Sequence, residues 1–274
     1  MSDIVENRKR ISLRRKLRLA TLALRENGLW WCILLFTYYA SSSLAHRAFS
    51  AMDGLRRKRN IPGMNSAALN KEIWESWDWS SGGDEWSESE QWKQSVIRRV
   101  LQGQIQNGSS ILEIGPGAGR WTEPLLGLAR EYIGIDISSS CIAHCRARFA
   151  GDSRAKFHVG SGSDLAAVAD RSIDAIWSFD VFVHINSAEV DGYIRDFARV
   201  LRPGGVAIVH HGAVGGAGGG WRSNLTFASF EEIVRRHHLH VKSSFAQWAD
   251  EDVVYQVKTG DLITVISNEA SPRL

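Results

Sequence analysis

Three groups of residues in this chain have types and spacing suited to chemistry. The first is "ILEIGPGAGRW" (111–121), where a β-branched run reaches Glu113 and then places glycines at 115, 117 and 119. A dinucleotide fingerprint runs G-x-G-x-x-G and rests a pyrophosphate on a helix N-terminus. Here the register is G-x-G-x-G, Pro116 removes one backbone N–H from the loop, and Glu113 would repel a pyrophosphate. With Asp136 closing the next β-branched run, the stretch suits a ligand carrying an ammonium group and a ribose.

The second group is "DVFVH" (180–184), a carboxylate and an imidazole four residues apart. With an unperturbed pKa of about 6.5, His184 is suited to act as a general base toward a hydroxyl. His210 and His211 form a further pair that could assist that base or, with Asp180, hold a divalent ion. Their spacing is not a metal signature, so no metal is predicted. The third group is "GAVGGAGGGWRSN" (212–224), whose six glycines read as a lid, with Trp221 to stack on a sugar face and Arg222 to pair with an anionic group.

The elements that must position these groups follow from hydrophobic periodicity. Short β-branched runs at 110–115, 131–136, 155–160, 173–179 and 205–211 alternate with amphipathic stretches, which predicts a doubly wound α/β sheet. Runs at 239–248 and 262–267, joined by an acidic turn, add an antiparallel hairpin at the edge and bring the Rossmann-like sheet to seven strands. Ligands of such sheets bind beyond the carboxyl ends of the strands. Five of the eleven tryptophans fall between residues 73 and 92, which reads as a cap over 70–95 within a domain of residues 64–274. Ser87 and Glu90 are placed for a capping box on the helix that follows.

Taken in order, "LEIGPGAG", "YIGIDIS", "IDAIWSFDVFVHI" and "YIRDFARVLRPGGVAIV" (193–209) resemble the motifs of class I S-adenosylmethionine-dependent methyltransferases, small-molecule and sugar O-methyltransferases in particular. The resemblance covers residues 90–267. It implies S-adenosylmethionine as cofactor, with Asp136 holding the ribose hydroxyls and Glu113, Gly115, Gly117, Arg120, Ile137, Gly162, Ser163, Phe179 and Trp86 around the rest. It also implies that Asp180 orients an acceptor whose proton His184 takes, with His211 as a further catalytic candidate and Trp221, Arg222 and His210 toward the substrate. One departure is "GSGSDL" after the third strand, where Ser161 occupies a position often held by an acidic residue; adenine then falls to backbone groups of Gly162 and Ser163, or to Asp164.

Composition bounds the remaining possibilities. Residues 1–60 hold 13 Lys/Arg against 4 Asp/Glu, leaving 20 against 26 in the rest, so the basic character belongs to an N-terminal arm and not to a nucleic-acid-binding body. The three cysteines make neither a disulfide framework nor a zinc site, which points to the cytoplasm. Within the helical extension 1–63, residues 27–45 carry no charge. They read either as an interfacial helix on an anionic membrane at its inner face or as a packing layer that mediates homo-oligomerisation. The expected function is methyl transfer to a hydroxyl of a sugar, glycolipid or other polar small molecule. The alternatives are methylation of an amine or lipid headgroup and a non-catalytic module recruited to membranes.

Overall fold

The computed structural model describes residues 13–59, 61–215 and 222–268. It forms two compact units, one ending at Arg59 and one starting at Ile61. The first is a helix, α1 (Leu13–Arg59), interrupted at Gly28, whose backbone (φ 79°, ψ 168°) lies in a region open only to glycine.

The second unit is built on a seven-stranded sheet in the order β3-β2-β1-β4-β5-β9-β6. Strands β1 (Ser109–Ile114), β2 (Ala129–Asp136), β3 (Ala155–Val159), β4 (Ile173–Phe182) and β5 (Leu201–Gly212) are mutually parallel, whereas β9 (Asp261–Ser267) runs antiparallel to β5 and to β6 (His240–Phe245). All six residues of β1 are buried, as befits a central strand covered on both faces.

The runs at 239–248 and 262–267 do pair antiparallel, but the later strand inserts between β5 and β6, and the acidic turn is itself folded. Residues Gln247–Asp250 (β7) and Val253–Gln256 (β8) form a separate two-stranded hairpin. Two contacts draw β7 out of the main sheet. Trp248 Nε1 donates to Ser95 Oγ at 2.8 Å, and Asp250 bridges Arg98 (2.6 Å) and Arg99 (2.7 Å).

Helices α2 (Ala67–Glu75), α3 (Glu90–Ser95), α4 (Thr122–Leu128), α5 (Ser139–Arg148), α6 (Ser187–Val200) and α7 (Phe227–Arg236) complete the unit. One core joins Ile194, Phe197, Phe230 and Ile233 of α6 and α7 to one face of the sheet. The other joins Trp92, Leu125, Ile142 and Trp177 to the opposite face. The cap of α3 is Ser89, not Ser87: its Oγ accepts from Trp92 N at 3.1 Å, while Ser87 ends the preceding 3₁₀ turn. Pro203 and Gly204 loop out of β5, where the pairing with β4 jumps from Ile173 with Leu201 to Ala175 with Val206, and Arg202 pairs with Asp174 at 2.7 Å.

Two helical glycines have opposite surroundings. A Cβ on Gly192 in α6 would lie 2.2 Å from the carbonyl oxygen of Ser163, whereas one on Gly127 in α4 meets nothing within 4 Å. Gly192→Ala is therefore expected to destabilise the protein by about 1–3 kcal/mol through overpacking. Gly127→Ala should stabilise it by about 0.5–1 kcal/mol through helix propensity. Urea unfolding of the two variants checks the signs.

Candidate functional site

A cavity of about 290 Å³ opens beyond the carboxyl ends of β1, β2 and β4, the expected place for a ligand in this sheet topology. The loop after β1 forms one wall. Gly115 (φ 70°) lies so close to Val181 that a Cβ would sit 2.2 Å from its Cγ2, and a Cβ on Gly117 would lie 3.1 Å from the Trp79 ring. The wall is therefore bare backbone, open to close approach.

Asp136 ends β2 and lines the cavity. Its Oδ1 accepts from Ser138 N (2.9 Å) and its Oδ2 from Gly117 N (3.1 Å), yet burial prevails and raises its pKa to about 6. Arg120 Nη2 donates to Asp180 Oδ2 at 2.6 Å, while its Nη1 is buried with no hydrogen-bond partner among the described residues. Ile137, Gly162, Phe179 and Trp86 also line the cavity.

Glu113 and Ser163 are not brought into this lining. Glu113 is 1% exposed, and its Oε2 accepts from Tyr132 Oη and from Thr122 Oγ1 (2.7 Å) behind the loop. Burial raises its pKa to about 7, and its Oε2, expected from the sequence to face the ligand, is bonded to hydroxyls of β2 and α4. Ser163 N donates instead to Ser161 Oγ, and Asp164 also accepts from that hydroxyl.

On the acceptor side, a chain of acidic and basic side chains runs from the cavity wall to buried Asp261. Asp180 faces Arg120, and its Oδ1 lies 3.1 Å from His210 Nδ1; His210 Nε2 lies 3.4 Å from Asp261, which pairs with Arg222 at 2.7 Å. Burial opposes charge on both Asp180 and His210. Mutual pairing outweighs it, holding the Asp180 carboxyl well below the usual range and raising the His210 pKa. Asp180 itself takes a left-handed backbone (φ 62°), where the β4–β5 register slips.

Arg222, Asp180 and His184 line the cavity, with the His184 ring edge-on to Trp74 at 5.4 Å. His210 stands behind Asp180. His211 points to the opposite face of β5, where it stacks on Phe230 at 3.9 Å and bonds Thr264, and burial lowers its pKa to about 4. Strand alternation separates the two rings, so His211 does not join the catalytic group, and the trio Asp180, His210 and His211 does not converge on a common point. Trp221 and the glycines at 216 and 218–220 lie outside the described residues, and the lid expectation with them.

Several site residues escaped the sequence reading. Asn65 and Asn70 donate to the carbonyl oxygen of His184 at 3.0 and 2.9 Å, so the cap fixes the backbone of that histidine. The hydroxyls of Ser138 and Ser139 hold Glu75 as a carboxylate, lowering its pKa to about 2 and tying α2 to the start of α5. Lys258 approaches the Trp86 ring at 5.8 Å on the cavity rim. Asp261 was missed because its place opposite Gly212 is set by the β5–β9 pairing; its one local signal was its position at the start of the last strand.

Comparison with known proteins agrees with this geometry. Residues 111–205 match the family described as a methyltransferase domain. Over 103 residues the chain is 34% identical to a "probable" S-adenosylmethionine-dependent methyltransferase of Mycolicibacterium smegmatis, covering 37% of each protein. Over 102 residues it is 29% identical to the ubiquinone biosynthesis O-methyltransferase of Sinorhizobium medicae, covering 37% of this chain and 40% of that one. These matches therefore span well under two thirds of the relatives' own lengths. In structure, the TehB-like S-adenosylmethionine-dependent methyltransferase of Corynebacterium glutamicum superposes with a TM-score of 0.51 at 21% identity, covering 73% of this chain and 97% of that one. Residues 111–205 thus match a methyltransferase domain, and the chain is similar to S-adenosylmethionine-dependent methyltransferases in sequence over that region and in fold.

Asp136 gives cofactor binding a pH dependence whose sign is fixed. A carboxylate accepts ribose hydroxyls better than a carboxyl does, and the free protein binds a proton at this group near pH 6. Affinity for S-adenosylhomocysteine is expected to level off above that pH and to fall below it, by up to about tenfold per pH unit. Asp136→Asn should weaken binding at neutral pH and remove this dependence. Calorimetric titration of both proteins between pH 5 and 8 (a span of about three units around the expected midpoint) checks it.

Proposed function

We propose that this protein transfers a methyl group from S-adenosylmethionine to a hydroxyl oxygen of a small polar molecule, with His184 as general base. The observation that carries the proposal is one cavity holding both halves of such a reaction. A bare-glycine loop, Asp136 and an Arg120 Nη1 without a hydrogen-bond partner line the same cavity as His184.

The residues present fit the cofactor. The Asp136 carboxylate is a desolvated acceptor for the two ribose hydroxyls, and Arg120 Nη1 is a buried donor for the carboxylate of the methionine part. Gly162 and Ile137 would flank the base. When bound, the cofactor supplies an electrophilic methyl group with a neutral thioether as leaving group.

The chain's own contribution is placement, exclusion of water and removal of one proton. Trp74, Trp79 and Trp86 clad the cavity, and Asn65 and Asn70 fix the histidine backbone. The His184 imidazole takes the hydroxyl proton as the oxygen becomes nucleophilic, and Asp180 offers a fixed carboxylate to orient the acceptor. The tryptophan faces favour an acceptor with a ring face that can stack, and Arg222 and Lys258 supply polar contacts at its edge, which supports a sugar or glycolipid. The O-methyltransferase name of the Sinorhizobium medicae relative supports oxygen as the nucleophile.

His184→Ala is expected to lower turnover by about 10²–10⁴-fold while leaving S-adenosylhomocysteine affinity unchanged. The measurement is transfer of labelled methyl to a panel of sugars, other alcohols and amines. Label on a sugar hydroxyl, lost in the variant, is the expected result. Label confined to amines, or turnover indifferent to the substitution, would overturn the assignment.

A further inference from the structure

Helix α1 carries an apolar surface that its own unit leaves uncovered. Trp30 is 79% exposed, Phe36 75%, Leu34 68% and Leu29 61%, and the most apolar window of the helix has none of its residues buried. At 3.6 residues per turn, Leu29, Trp30, Trp31, Ile33, Leu34 and Phe36 point in every direction around the axis, so residues 29–36 have no polar face, and beyond them Thr37 and Ser41 return their hydroxyls to the backbone at Ile33 and Tyr38. A helix that is apolar all round is made to be surrounded, unlike the one-sided helix of a membrane surface or a packing layer.

Charge selects what surrounds it. The continuous helical part of the uncharged stretch, residues 29–45, is about 25 Å long at 1.5 Å per residue, at the short end of the roughly 17–25 residues that cross bilayer hydrocarbon. Eight Lys/Arg precede it between Arg8 and Arg25, and Arg47 and the run Arg56, Arg57, Lys58 and Arg59 follow it. A second copy, packed in either direction, would set basic segment against basic segment. An anionic leaflet attracts both ends, by about 1 kcal/mol per cation near the surface. Gly28 breaks the helix where the first basic segment meets the apolar one, so the two can take different angles at a lipid boundary.

We propose that α1 is a membrane anchor, with residues 29–45 in the hydrocarbon of an anionic bilayer and the flanking basic segments on its headgroups. This inference is independent of the catalytic assignment, and its test reads no activity.

The full chain is mixed with vesicles of phosphatidylcholine alone or with phosphatidylglycerol added, then floated through a density gradient. Flotation with the phosphatidylglycerol vesicles, retained after high-salt and alkaline carbonate washes, is the expected result. The double variant Leu34→Glu, Leu35→Glu should lose flotation while keeping the wild-type unfolding midpoint. Replacing Arg57, Lys58 and Arg59 by Gln should reduce capture by anionic vesicles without abolishing it. Three results would overturn the proposal: wild type that stays at the bottom of the gradient, wild type stripped by salt alone, or a lipid-free dimer that ignores vesicles.

Discussion

Alternating charge runs from Arg120 through Asp180, His210 and Asp261 to Arg222, and the ligand edge of the sheet depends on it. The five residues come from the loop after β1, from β4, from β5, from the start of β9 and from the segment after β5. Arg120, His210 and Asp261 are each under a tenth exposed, so none is left to water for compensation. A buried charge without a partner is costly, and each member here has an acid or base of the chain beside it, while Arg120 Nη1 keeps no hydrogen-bond partner among the described residues. The chain thus ties the strand ends together around the cavity, with Asp180 in a left-handed backbone conformation of a kind that costs on the order of 1–3 kcal/mol.

Around that lock, close contact replaces bulk. The loop after β1 can approach a ligand because Gly115 and Gly117 leave only backbone between the cavity and the side chains of Val181 and Trp79. The cap then contributes more than a roof. Its asparagines reach the carbonyl of His184, its Trp74 ring meets that imidazole, and Glu75 fastens α2 to the serines that begin α5. The position of the proposed base is therefore set by a segment more than a hundred residues earlier in the chain.

The two units divide the chemistry of the chain between them. The body carries the acidic excess and a cavity lined by aromatic and apolar groups, while the extension carries the cations and an apolar surface with no inside of its own. Net charge summed over the whole chain hides this partition. Its physical meaning lies in which surface each charge faces.

Local patterning was enough to read the order of strands and helices, the glycine wall and the placement of Asp136, Asp180 and His184 near strand ends. Period-2 and period-3.6 hydrophobicity and turn chemistry act over a few residues and are written directly in the chain. Local patterning did not show that β9 enters between β5 and β6, because pairing partners are chosen by contacts between positions distant in the chain, such as Val206 with Ser267 and Val241 with Ile266. Nor could it tell His210 from His211. Adjacent residues of a strand face opposite sides, and only the packed sheet decides which ring meets Asp180 and which is buried against Phe230. Glu113 shows the same limit, since its motif position suggested a ligand contact while Tyr132 and Thr122, brought beneath it by the fold, claim its oxygen. The sequence by itself determined the elements and the chemical types at their ends; the tertiary structure decided which of those groups face the cavity, because burial and partnership are properties of neighbours in space.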